Sequence, residues 1–158
     1  MFPALRPILN KGGAGRYISR EESVERLLPI AERHLDLLYT YSGVLDAMPD
    51  GATKTQIEAM MPYLRTEIAK MNETILSLNG APPQGIDRRP VEVDADTPVT
   101  TLLDRLVEAE RGFGPALVEE VDAVHHQERT RAILTHNAEA SASRLGLLRE
   151  LAVGPIRT

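Results

Sequence analysis

The amino-acid sequence predicts an all-α fold: a four-helix bundle with a long crossover between its second and third helices. Three observations predict it. Apolar residues recur every three or four positions in four separate stretches, the spacing that lines one side of a helix. No strand pattern competes with them. The connections are unequal: the first and last are short, whereas the middle one is a polar run from Ala81 to Asp96 containing Pro82, Pro83, Gly85 and Pro90.

Residues 1–18 carry two prolines and the run Gly12-Gly13-Ala14-Gly15, and are read as an N-terminal extension or arm before a bundle spanning 19–154. The first helix opens at Ser19, where Ser19-x-x-Glu22 has the form of a capping box. Its apolar stripe runs Val24, Leu27, Leu28, Ala31, Leu35, Leu38, Tyr41, Leu45 and Met48 until Pro49-Asp50-Gly51 ends it. The second is expected from Thr53, with Thr53-x-x-Gln56 as a second box. Its stripe runs from Ile57 through Met61, Leu64, Ile68 and Met71 to Leu78, and Asn79-Gly80 stops it. The third has Thr97 as expected N-cap with Pro98 at the first helical position, and its stripe is Leu103, Leu106, Glu110, Phe113, Leu117, Val121 and Val124. The fourth follows a turn near His125-His126 and ends before Gly154-Pro155. Pro29, Pro62 and Pro115 fall inside these patterns, as kinks or as breaks.

Loop length carries the topology. Short connections make antiparallel hairpins of helices one and two, and of helices three and four. The middle connection of about 16 residues can span about 50 Å when extended. The second helix, at about 26 residues, is about 39 Å long. The connection can therefore run the length of the bundle and start the third helix at the far end.

The composition narrows the function. A chain of 158 residues that is 42% hydrophobic and 26% charged has enough apolar material for one domain with a core of its own. The net charge of −5, with no basic stripe interleaved with aromatics, argues against nucleic-acid binding. With no cysteine, thiolate metal sites and disulfides are excluded, leaving His and carboxylates as possible ligands. No secretory signal and no 18-residue apolar span is visible. The expectation is a cytoplasmic protein that neither crosses a membrane nor binds nucleic acid.

The residues that could carry chemistry are polar ones on apolar stripes. Glu110 sits between Leu106 and Phe113, in the middle of the third stripe. A buried carboxylate needs a partner, a proton, a metal or water; a head reaching solvent, Lys or Arg is the alternative. Glu67 flanks the second stripe, where a surface ion pair with Lys70 at i+3 is the simpler expectation. His34 borders Leu35 and Leu38, Tyr41 follows seven residues on, and Asn137 fits an interior row Leu134–Asn137–Ser141–Leu145. His136 and Glu139 are expected to be solvated, and His125-His126 to form a polar turn. Counted along antiparallel hairpins, His34, Tyr41, Glu67, Glu110 and Asn137 fall near one level and could converge on one pocket.

Three stretches carry a family resemblance. MNETILSLNGAPPQ (71–84), LLDRLVEAERGFGPALVEEV (102–121) and AILTHNAEASASRLGLL (132–148) resemble the end of the second helix, the third helix and the fourth helix of bacterioferritin, within the ferritin-like superfamily. The resemblance implies a di-iron centre built from Glu on helices one and three and Glu-x-x-His on helices two and four, with Glu110 on the ligating Glu of the third helix. The rest of that set is degenerate. The fourth helix offers Asn137-x-x-Ala140, the second Glu67-x-x-Lys70 or Leu64-x-x-Glu67, and His34 stands where the first should supply Glu. Tyr41 falls where some members carry a tyrosine.

Three readings follow. In the first, a ferritin-like homodimer without a functional di-iron centre acts through packing or interaction and needs no cofactor. In the second, His34, Glu67 and Glu110 hold a single divalent metal ion, with Tyr41 and Asn137 around them, in a metal protein or oxidoreductase. In the third, a small molecule occupies space beside Gly112–Gly114 and Ala138–Ser143.

Overall fold

The computed structural model describes residues 16–85 and 88–154. Helix α1 is Arg20–Ala47, α2 Ala52–Glu58, α3 Met61–Ser77, α4 Val99–Ala123 and α5 Glu128–Val153. Two two-residue strands, β1 Arg16–Tyr17 and β2 Val124–His125, pair in parallel. This pairing, which no alternation in the sequence announces, lays the segment before α1 against the α4–α5 turn. Most of the expected arm, residues 1–15 with its glycine run, lies outside the described residues.

The second helical pattern is two helices, α2 and α3. Proline has no N–H to give the carbonyl four residues back, and its ring crowds that carbonyl. The chain therefore turns at Ala59-Met60 and restarts with Pro62 in the first turn of α3, where a missing donor costs nothing. Pro29 and Pro115 stay inside unbroken α1 and α4. Ser19 caps α1 as expected, its hydroxyl accepting the Glu22 N–H at 3.1 Å. Thr53 does not cap α2: Gly51 holds that place and Thr53 is buried within the first turn. Pro98 rather than Thr97 precedes α4, a one-residue shift within ordinary boundary scatter. Asn79-Gly80 ends α3 in a Schellman motif. Asn79 takes φ 65°, its N–H bonds Leu76 O at 3.0 Å, and the Gly80 N–H reaches back to Ile75 O at 2.9 Å.

The crossover is a strap laid along α1. It leaves α3 at Gly80, where a Cβ would meet the Val24 and Ile75 side chains at 2.6–2.9 Å. Farther on, the Tyr39 hydroxyl donates to Gly85 O at 3.4 Å, and Arg88 pairs with Glu32 and Asp36. The Val91 N–H donates to Tyr39 O at 3.2 Å. Close to the end of α1 the strap shares a groove with Asp46 of α1 and Arg105 of α4. So the strap climbs from the start of α1 to its end. There α4 begins and runs back, reaching Arg26 with Glu120. Helices α3 and α4 are therefore both antiparallel to α1, and α5 reverses again beside α4. The order is up, down, down, up.

The expected stripes form the core. Leu27, Ile57, Leu64, Met71, Ile75, Leu103, Leu106, Leu117 and Leu134 are fully buried. Contact is most extensive between α4 and α5 and sparse between α3 and α5. At Gly114 the first of these seams is tight: a Cβ would sit 2.7 Å from Ser141 Oγ. Gly114 thus serves close approach of α4 to α5. No helix among the described residues is long and apolar enough to cross a membrane.

Gly43 is where the strap comes closest, because a Cβ there would lie 2.0 Å from the Val91 carbonyl oxygen. Backbone cannot yield as a flexible side chain does. Gly43→Ala should therefore lift the strap and lower stability by about 1–3 kcal/mol, read as a lower urea midpoint with faster proteolytic cutting between Gly80 and Thr97.

Candidate functional site

At mid-bundle a polar network joins all the long helices. Its hub is Arg144 on α5, which lies on the row Leu134–Asn137–Ser141–Arg144–Leu148, five residues spaced alternately three and four apart and all buried. The guanidinium holds two carboxylates. Nε donates to Glu110 Oε1 at 2.5 Å and Nη2 to Oε2 at 3.4 Å. Nη1 donates to Glu67 at 2.8 and 3.2 Å. Glu110 has two further donors, the Tyr41 hydroxyl at 2.7 Å and the Ser141 hydroxyl at 2.6 Å. Glu110 and Glu67 are 1% and 3% exposed and Arg144 is 5% exposed, so these charge-assisted bonds form away from bulk water.

The charges do not balance. Two carboxylates share one guanidinium, and Glu110 receives the larger share of donors. Burial works against the charge on Arg144, but Glu110 and Glu67 outweigh it and raise its pKa, so it stays protonated. Burial also pushes the Glu67 carboxyl above its usual range, and Arg144 only partly opposes this. Both shifts are upward, which favours the charged form of Arg144 and the neutral form of Glu67. Tyr41 is driven far up, first by burial and then by the Glu110 carboxylate it bonds, so it remains a neutral donor.

Of the residues singled out from the sequence, Tyr41, Glu67 and Glu110 are brought together through Arg144. His34 and Asn137 are buried too, but they do not join the bonded network by any hydrogen bond of the His34 ring or of Asn137 Nδ2. The His34 ring lies against Phe113, centroids 4.6 Å apart, and burial pulls its pKa down to about 3. Glu67 is not in a surface pair with Lys70. His126 is not in a solvated turn: it is 1% exposed and its Nε2 meets Glu120 Oε1 at 2.9 Å, while Arg26 grips the same carboxylate at 2.7 and 3.3 Å.

Ser141 lies on the interior row expected from the sequence, whereas Arg144 escapes that reading because an arginine is rarely placed in a core. The row was read through Leu145, one residue off. The signal was present: two carboxylates on buried stripes require a cation, and Arg144 is the basic residue that keeps step with Leu134, Asn137 and Ser141.

As placed, these residues do not fit a divalent ion held by His34, Glu67 and Glu110. Both carboxylates are turned onto the guanidinium, which already supplies a positive charge between them, and His34 is packed on Phe113. Among the described residues no three His, Asp or Glu side chains cluster as a metal site would need.

No family model, no curated protein and no solved structure matches the chain. The fold and the network are thus what defines it: an all-α four-helix bundle with a buried, arginine-centred polar core.

Two outcomes follow. Arg144→Ala strands two buried carboxylates and should cost about 3–5 kcal/mol. In the triple variant Glu67→Gln, Glu110→Gln, Arg144→Met, where no charge is left unpaired, the loss should be smaller; urea denaturation compares them. His34 is neutral in the folded chain down to about pH 3, whereas its ordinary pKa is 6.5. The unfolded chain therefore binds one proton more between these values, and stability falls as pH drops through that window. His34→Leu should flatten the slope of unfolding free energy against pH by one proton there.

Proposed function

We propose that this chain is a ferritin-like bundle in which an arginine has taken the place of the metal ions, leaving a scaffold that acts by binding rather than by metal-dependent oxidation. The observation that carries this reading is Arg144 between Glu67 and Glu110. A di-iron bundle gathers carboxylates from facing helices around cations; here carboxylates from α3 and α4 gather around a guanidinium from α5. The crossover that makes α3 and α4 parallel supports the ferritin-like part, since that superfamily also has one long crossover. The Tyr41 and Ser141 hydroxyls donate hydrogen bonds to the Glu110 oxygens, occupying lone pairs that a bridging carboxylate would give to metal. A homodimer belongs to the same proposal, supported by Val118, 50% exposed, beside a shallow groove with Val121, Ala138 and Ala142.

The test is metal analysis of the purified protein before and after anaerobic incubation with Fe(II), Mn(II) and Zn(II). The expected result is substoichiometric metal in every case. Stoichiometric metal that is lost in Glu110→Ala would overturn the reading. Light scattering on the same preparation should report the mass of two chains, and a monomer would remove that part.

A further inference from the structure

A groove separates α2 and α3 from α5 along the sparsely packed seam of the bundle. It measures about 670 Å³, within the range of about 300–1,000 Å³ of small-molecule sites. Glu67 and Arg144 close its floor, and the ion pair between them spans the seam. Its walls are largely apolar: Met60 and Tyr63 on one side, Ala140 and Leu147 on the other. Tyr63 is 75% exposed, a large aromatic side chain left standing over an apolar trough.

The charges around the groove are one-sided. Its only acid, Glu67, is buried and gives both oxygens to Arg144. The side chains that can meet a ligand head at the lip are Lys70 and His136, both exposed. His136 lies close enough to Glu67 to favour its charged form. A cation entering here would meet Lys70 first and the Arg144 guanidinium at the floor. An anionic head would meet an uncommitted ammonium and an imidazole, and an attached apolar chain would cover Met60, Tyr63, Ala140 and Leu147.

We infer that this groove binds a single-chain amphiphile with an anionic head, the head at Lys70 and His136 and the chain along the apolar walls between α3 and α5. A carboxylate and a phosphate monoester share that chemistry. The inference does not rest on the arginine-centred reading, because metal content and groove occupancy are measured separately.

Isothermal titration with decanoate, decyl phosphate and decylammonium, each below its micelle concentration, tests it. Saturable binding of one decanoate or decyl phosphate per chain is expected, and the tighter of the two names the head group. Lys70→Glu changes an exposed side chain and should weaken that binding about tenfold or more, the equivalent of one charge-assisted hydrogen bond. Ala140→Trp should fill the trough and abolish binding, with its circular dichroism and melting checked against the parent chain. Binding of decylammonium as tight as that of the anions, no saturable binding of either anion, or an unchanged affinity in Lys70→Glu would each overturn the inference.

Discussion

The guanidinium of Arg144 is the point at which the four long helices are bound to one another by something other than apolar contact. It reaches α3 through Glu67 and α4 through Glu110, and Glu110 in turn takes the Tyr41 hydroxyl from α1 and the Ser141 hydroxyl from α5. Apolar packing tolerates sliding by a turn, because a leucine finds another leucine's groove. A bidentate carboxylate–guanidinium pair does not. A slip of either helix by one turn would leave at least one buried charge without its partner, at a cost of several kcal/mol. The network therefore fixes the axial register of α5 against α3 and α4. Gly114 fits the same register, since its missing Cβ admits Ser141 at the height where that hydroxyl meets Glu110.

The same arrangement sets competing electrostatic demands. His34 is buried as a neutral ring, so protonation works against the fold. Glu67 is buried with an incomplete share of a cation, so its ionisation works against the fold. A raised carboxyl contributes stability below its ordinary value and loses it as pH climbs through the raised one; a depressed histidine does the reverse. The two groups thus tilt stability in opposite directions with pH, and Arg144, whose own pKa is raised, partly offsets the burial of Glu67.

Much of the bundle was legible in the sequence because its signals are local and redundant. Leu27, Leu64, Leu106 and Leu117 keep helical spacing, Ser19 and Asn79-Gly80 mark ends by hydrogen bonds to their own neighbours, and the length of 81–96 demands a crossover. The break at Ala59-Met60 was legible only as an ambiguity, since Pro62 permits a kink or a restart. The site was half legible. Glu110, Glu67 and Tyr41 stand out as polar residues on apolar rows, but the group that answers them comes from another helix, and no local pattern states which one. Arg144 looks like a surface residue until the two carboxylates are counted. His126 was misread for a related reason: a histidine in a turn is ordinarily solvated, and only the Glu120 carboxylate one and a half turns earlier, itself held by Arg26, makes its burial intelligible.

The strap along α1 has a consequence for how the chain keeps to itself. The bundle consists of two hairpins, one ending at Gly80 and the other beginning at Val99, and Glu67–Arg144, Tyr41–Glu110 and Arg26–Glu120 all run between them rather than within them. Every one of those contacts could be made as well with the second hairpin of another copy. What favours the intramolecular match is the tether, which raises the effective concentration of one hairpin around the other. The seating of Val91 against Gly43 and of Arg88 against Glu32 and Asp36 adds direction to that tether. A lifted strap would leave every core contact intact in kind and change only whose core it is.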